Sequence, residues 1–140
     1  KIPIRDSWGV LMRKDSPLAA LDKITSGDLA DKPLIVPAQK SDDWQMASWF
    51  GADAQRMDIV ATYNLVFNAS LMVDEGLGYA ICFDKIINLS GDSRLCFRPL
   101  SPEMKAEASV IWKRYKVFSK AAQKFIDEVQ QCCEIKLSGQ

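Results

Sequence analysis

The sequence contains no histidine. That absence removes a large part of enzyme chemistry, because neither a Ser–His nor a Cys–His nucleophile pair can be built. It also excludes a Cys/His zinc site, and the four cysteines include no CxxC. No phosphate-cradling loop and no paired-carboxylate motif stands out. Asp74 and Glu75 are neighbours on an expected helix and therefore point apart. No apolar run reaches membrane-spanning length, and no signal peptide opens the chain. Lys plus Arg number 18 and Asp plus Glu 18, so zero net charge gives no overall electrostatic reason to bind nucleic acid. The reading from these absences is a chain with no catalytic residues, no metal, no cofactor and no membrane partner.

What is present is ordinary for a globular protein. The 140 residues are 48% hydrophobic and 26% charged, enough for one domain or two small lobes. The chain opens on Lys1-Ile2-Pro3-Ile4, which already reads as the entry to a strand, so an excised fragment is expected. Cys82 and Cys96 lie in apolar runs, where cysteine behaves as a small buried hydrophobe. Cys132 and Cys133 are adjacent near a helix end. Structural, reduced thiols fit a cytoplasmic protein; the alternative is a redox switch between Cys82 and Cys96.

Periodicity sets out the elements. Residues 8–13 (WGVLMR) alternate as a strand. Ser16-Pro17 caps and opens a helical turn over 18–21. Residues 26–31 are polar, with Leu29 as anchor, and 33–38 form a strand limited by proline at both ends. Asp42 or Asp43 can cap a helix over 44–50, which Gly51 stops. Trp44 and Trp49 fall on different faces of that helix, so one is expected to be exposed. A strand over 57–63 precedes a helix over 65–75, capped by Asn64, with Leu65, Ala69 and Met72 on its apolar stripe and Leu71 and Val73 widening it. Gly76 suits the left-handed position past the helix end. Gly78 permits a close backbone approach before a buried strand over 79–83. Residues 84–93 read as a surface connection, 94–99 as a strand in which Leu95 and Phe97 share a face, and 108–113 as a further strand. A last helix starts near Ser119, with Ala122, Phe125, Ile126, Val129 and Cys133 on one face. The middle of the chain is thus a small α/β lobe with a parallel core.

Ligands of open α/β sheets bind beyond the carboxyl ends of the strands. That rule selects the loop Gln39, Lys40 and Ser41, the turn at Asn64 preceded by Thr62 and Tyr63, and Asp84 and Lys85 after the third strand, which ends at Phe83. Two of these loops also open helices, whose free amides favour anions. The expected ligand is therefore a small anionic or polar organic molecule, with Gln39, Lys40, Ser41, Tyr63, Asn64 and Phe83 as candidate contacts. The plainer roles are a helix cap for Asn64, an ordinary turn for Gln39 and Ser41, a solvated charge for Lys40, and core positions for Tyr63 and Phe83.

Four stretches in order resemble the C-terminal effector-binding domain of LysR-type transcriptional regulators. They are 8–19 (WGVLMRKDSPLA), 24–35 (ITSGDLADKPLI), 71–81 (LMVDEGLGYAI) and the closing strand and helix within 109–125. The resemblance implies a periplasmic-binding-protein type 2-like α/β fold, one complete lobe plus part of a second. Lobe II would be 33–105; 1–32 and 106–140 would be parts of lobe I. It implies a small-molecule effector between lobes, a homo-oligomer, and DNA binding only through an N-terminal winged helix-turn-helix domain missing from this chain. By position, Gln39–Ser41 and Tyr63–Asn64 match the lobe II side of the family's effector cleft. The competing reading is a transporter's solute-binding protein, which shares the lobes but expects an export signal and fits four thiols poorly. An enzyme has no motif in its favour.

Overall fold

The computed structural model describes residues 5–38, 45–111 and 117–137. Alternation makes residues 8–13 a strand, and β1 spans Arg5–Arg13. Trp8, Val10 and Met12 face one side of the sheet and Leu11 the other. Then follow α1 (Ser26–Leu29), β2 (Pro33–Pro37), α2 (Gln45–Phe50), β3 (Asp58–Tyr63), α3 (Val66–Asp74) and β4 (Tyr79–Phe83). β5 (Leu95–Pro99), β6 (Lys105–Glu107) and α4 (Lys120–Leu137) complete the order.

The sheet runs β3-β2-β4-β1-β5, and β6 pairs with β1 off this path. β2 is parallel to both β3 and β4, which is the expected parallel core. β1 is antiparallel to β4 and β5, with Val10 opposite Ile81 on one side and Arg98 on the other. Gly9 is required in this central strand, because a Cβ there would fall 2.1 Å from the Phe97 ring.

Two apolar layers sandwich the sheet. On one face Val10, Met12, Leu34 and Ile81 pack against Leu29 of α1 and Met46 and Phe50 of α2. On the other, Leu11, Ile35, Ala80 and Cys82 pack against Ala69 and Val73 of α3. Each fully buried aliphatic side chain contributes about 1.5–3 kcal/mol by leaving water. Both layers belong to one compact unit, Ser7–Lys105; the other unit takes in Lys1–Asp6 and Ala106–Gln140. Residues 7–32 thus group with 33–105, because β1 is hydrogen-bonded on both sides and Ile24 bridges to Leu100.

Local chemistry explains the shorter elements. Ser16 accepts from the Leu18 amide and Pro17 opens a 3-10 turn, as expected. The polar stretch 26–31 holds a short helix, Ser26–Leu29. The Thr25 side chain accepts from the Asp28 amide and Asp28 returns a bond to the Thr25 amide, a reciprocal cap for α1. Leu29 is its buried anchor. Gly51, at φ 53°, closes α2, and a second 3-10 turn follows over Gly51–Arg56. Trp49 is half-buried and donates its indole N–H to the Pro102 carbonyl at 2.8 Å. Trp44 and the expected caps Asp42 and Asp43 lie outside the described residues.

The expected helix over 65–75 needs correction at its start. α3 begins at Val66, and its N-cap is Leu65, in extended conformation with no side-chain cap bond. Asn64 is exposed in the preceding bend and does not cap the helix. β3 keeps pairing with β2 through Tyr63, so the chain turns into the helix one residue later than the sequence suggests. The buried face is Ala69, Ser70 and Val73, whereas Leu65 and Leu71 are 65% and 52% exposed. The helix end is as expected. Gly76 has φ 81°. Leu77 N–H donates to Met72 O and Gly76 N–H to Val73 O, both at 2.9 Å, the paired bonds of a Schellman stop. At Gly78 a Cβ would lie 2.3 Å from the Pro33 carbonyl oxygen, so the close approach is between β4 and the start of β2.

The second unit holds fewer described elements. No strand forms over 108–111; β6 lies upstream at Lys105–Glu107. β6 pairs with β1, and Arg5 and Glu107 face each other at 4.0 Å. The rest of the expected strand lies outside the described residues. α4 starts as expected, with the Ser119 hydroxyl accepting from the Ala122 amide at 3.2 Å. Ala122, Ile126, Val129 and Cys133 form a half-buried stripe, while Phe125 is 63% exposed.

Candidate functional site

Because β2, β3 and β4 are mutually parallel, their carboxyl ends share one edge of the sheet. Pro37 pairs with Tyr63 at that edge, and the Ala38 amide extends the ladder by donating to the Tyr63 carbonyl at 2.8 Å. β4 ends there at Phe83, and the Asp84 amide donates to the Ser7 carbonyl at 3.0 Å. Lys85 follows in a left-handed turn, φ 61°, its ammonium 4.0 Å from the Asp84 carboxylate. The α3 N-terminus opens on this edge with Asn64 exposed beside it. The Asn68 amide donates to the Leu65 carbonyl at 3.0 Å, and among the described residues no side chain accepts from the amides of Val66 and Phe67 ahead of it. The positive end of the helix therefore stands open to an anion.

Of the six candidate contacts, Gln39, Lys40 and Ser41 lie outside the described residues. Tyr63, Asn64 and Phe83 all reach the edge, but they leave it in different directions. Tyr63 packs on the α3 side of the sheet, where its phenol donates to the Ile81 carbonyl at 2.8 Å. Burial raises the phenol's pKa well above its ordinary value, so it is a neutral donor already in use. Phe83 sits on the opposite face, its ring centroid 4.1 Å from that of Trp8, its partner across the β1–β4 ladder. Asn64 alone of the three has its side chain exposed. The shared feature of the edge is therefore backbone amides and strand ends rather than a cluster of converging side chains.

A second concavity lies away from the strand ends. A groove of about 500 Å³ runs between α3 and the connection 86–95. Val66, Phe67 and Leu71 form one wall, and Ile86, Ile87 and Leu95 the other. The Arg94 guanidinium meets the Asp74 carboxylate at 2.5 Å at one end. It is open and apolar-walled, and it runs along the flank of the helix rather than the sheet edge. The available sign was the apolar pair Ile86-Ile87 in an otherwise polar loop. Among the described residues the Val66 and Phe67 amides at the edge have no acceptor, whereas Arg94 and Asp74 in the groove are engaged with each other.

The thiols do not form a pair. Cys82 is buried in the α3-side layer, and Cys96 packs against the opposite layer, with β1 between their strands. Burial pushes the Cys82 thiol up to about 12, so it stays protonated and unreactive. All four cysteines are free. Among the described residues, no helix is long and apolar enough to cross a membrane.

The family model for the LysR substrate binding domain matches residues 4–134. The fold is similar to that of HinK, a LysR family transcriptional regulator from Pseudomonas aeruginosa. The TM-score is 0.70 at 15% identity, over 91% of this chain and 45% of that one. It is similar to the CcmR regulatory domain of Synechocystis PCC6803 in complex with 2-PG, at TM-score 0.68 and 15% identity, over 95% and 65% of the two chains. It is also similar to the effector binding domain of QuiR in complex with shikimate, at TM-score 0.70 and 15% identity, over 95% and 64%. At such identities the likeness establishes the fold: mixed α/β, of the type 2 periplasmic-binding-protein kind. The chain spans about half the length of the full regulator and under two thirds of each isolated domain. No curated protein sequence matches it.

Proposed function

The chain belongs to the family of LysR substrate-binding domains, and from that premise we propose that it senses a small anionic metabolite for a transcription regulator. Ser7–Lys105 supplies one wall of the effector site as lobe II of that domain. The parts on either side of it belong to lobe I. DNA is bound through a winged helix-turn-helix elsewhere in the full protein, which works in the cytoplasm as a homo-oligomer and performs no catalysis. Exposed Ile59 and Val60 on the edge strand β3, with Leu65 just before α3 and Phe67 and Leu71 on it, offer apolar surface for subunit contact.

One observation carries the ligand class. The uncapped α3 N-terminus opens at the carboxyl edge of three parallel strands, where amides without side-chain acceptors suit a carboxylate or phosphate. Asn64 borders that position, Phe83 ends β4 on the opposite face of the same edge, Gln39, Lys40 and Ser41 follow β2 in sequence, and Tyr63 holds the edge from beneath. The neighbours bound to 2-PG and to shikimate show that domains of this fold hold small molecules. Regulation then requires that the effector bind one arrangement of the regulator better than another. A transporter's solute-binding role has only the shared fold in its favour.

The test is Asn64→Ala and Gln39→Ala in the full-length regulator, with effector response and folding stability both measured. Loss of response at unchanged stability supports the edge. Unchanged response and stability in both variants would show the site to be elsewhere.

A further inference from the structure

The chain leaves the Ser7–Lys105 unit at two places, beyond Ser7 on β1 and beyond Lys105 on β6, and these two strands pair. Ser7 is a junction between that exit and the candidate edge. Its carbonyl accepts from the Asp84 amide at 3.0 Å, holding the residue that follows Phe83. Its hydroxyl donates to Glu103 Oε1 at 3.2 Å. The other oxygen of Glu103 meets Lys105 Nζ at 3.3 Å. One residue on, the Trp8 amide donates to the Met104 carbonyl at 2.9 Å, and the Trp8 ring lies against Phe83.

We propose that Ser7 and Glu103 form a latch that holds the two exit strands to each other and to the end of β4, so that its closure sets how freely those strands flex. Its regulatory meaning rests on the effector-sensing reading above; its existence does not. Glu103 is a positioning residue. It touches no ligand, and acts by fixing Ser7 on one side and Lys105 on the other. The partners are exposed or half-exposed, so the latch is weak and reversible, as a flexing element requires. The ladder bond from Trp8 to Met104 keeps the strands registered when it opens.

Amide hydrogen exchange on this chain tests the latch without a ligand. Ser7→Ala and Glu103→Ala should speed exchange at Asp84 and residues 104–106 by about fivefold, the scale of one lost hydrogen bond. Exchange in α3 and the melting temperature should stay unchanged, and Ser7→Thr, which keeps the hydroxyl, should restore the wild-type rate. Unchanged exchange at those amides in both variants overturns the latch. So does a uniform increase over the whole unit, or no rescue by Ser7→Thr, since either would mark a general packing role. Inorganic phosphate added to the same samples reads the other claim separately. If phosphate slows no exchange at residues 64–68 while the variants still loosen the exit strands, the anion reading fails and the latch stands.

Discussion

The Tyr63 hydroxyl reaches from β3 over β2 to donate to the carbonyl of Ile81 on β4, at 2.8 Å. This bond ties together the three parallel strands whose ends form the candidate edge. Tyr63→Phe keeps the ring in its apolar layer and leaves the Ile81 oxygen without this donor. The expected cost is about 1 kcal/mol of folding stability, read as a lower urea midpoint at unchanged slope. Because the phenol points into the layer beneath the edge, anion affinity should be retained. A variant that loses affinity but no stability would instead make the phenol a direct ligand contact.

Burial of the Cys82 thiol predicts how the unit responds to alkali. The folded state holds the proton to about pH 12, whereas the thiol's ordinary pKa is 9.0. Above pH 9 the unfolded chain releases this proton and the folded chain keeps it, so the unfolded state binds fewer protons and stability falls as pH rises. The stability is fully present below pH 9 and declines by at most about 1.4 kcal/mol per pH unit in that window. Tyr63, also raised by burial, adds a loss of the same sign above its own ordinary value of 10.0. Urea unfolding at pH 8, 9 and 10 should show the decline, and Cys82→Ala should flatten its first part. An equal slope in that variant between pH 9 and 10 would remove Cys82 as the cause.

Gly76 and Gly78 are two residues apart and are glycine for different reasons. Gly76 has φ 81° with nearly open space around it, so its constraint is conformational. Gly78 has Pro33 backbone where a Cβ would go, so its constraint is contact. Gly76→Ala should cost about 1–2 kcal/mol, the penalty for a left-handed L-residue. Asn tolerates that conformation, so Gly76→Asn should recover part of the loss. Gly78→Ala should cost about 1–3 kcal/mol through overpacking, and Gly78→Asn should be worse rather than better. Chemical unfolding of the four variants checks this, and the same ranking at both positions would disprove the distinction.

The order of strands 33–38, 57–63 and 79–83 was legible because each is a short apolar run bounded by turn residues, and the helix end at Gly76 because glycine there has one strong use. The face of α3 was not. Leu65 and Leu71 fit a helical stripe as well as Ala69 and Val73 do, and only packing against the sheet decides between them. α1 was missed because a four-residue helix has no periodicity to read; its sign was the Thr25–Asp28 pair. For the candidate edge, strand direction was enough to bring Tyr63, Asn64 and Phe83 to one side. The divergence of Tyr63 and Phe83 follows from the pairing of β3, β2 and β4, which no local pattern contains.

The uncapped start of α3 yields the most direct test of the anion site. Leu65, just before Val66, has φ −116° and ψ 121°, the extended conformation that a residue before proline adopts. Val66 is the first helical position, where proline fits without breaking the helix. Val66→Pro therefore deletes one outward amide and leaves the rest of the turn in place. Val66 is half-buried and packs on the α3-side layer, so some stability is lost with its side chain. Val66→Ala is the control for that loss, since it shortens the side chain and keeps the amide. A hydrogen bond to a charged group contributes about 1.5–3 kcal/mol, so phosphate or carboxylate should bind Val66→Pro about tenfold or more weakly than Val66→Ala. Titration followed by the amide signals of residues 66–69 provides the comparison. Equal affinity in the two variants would mean that the helix start does not hold the anion, and the site would then have to be sought among Gln39, Lys40 and Ser41.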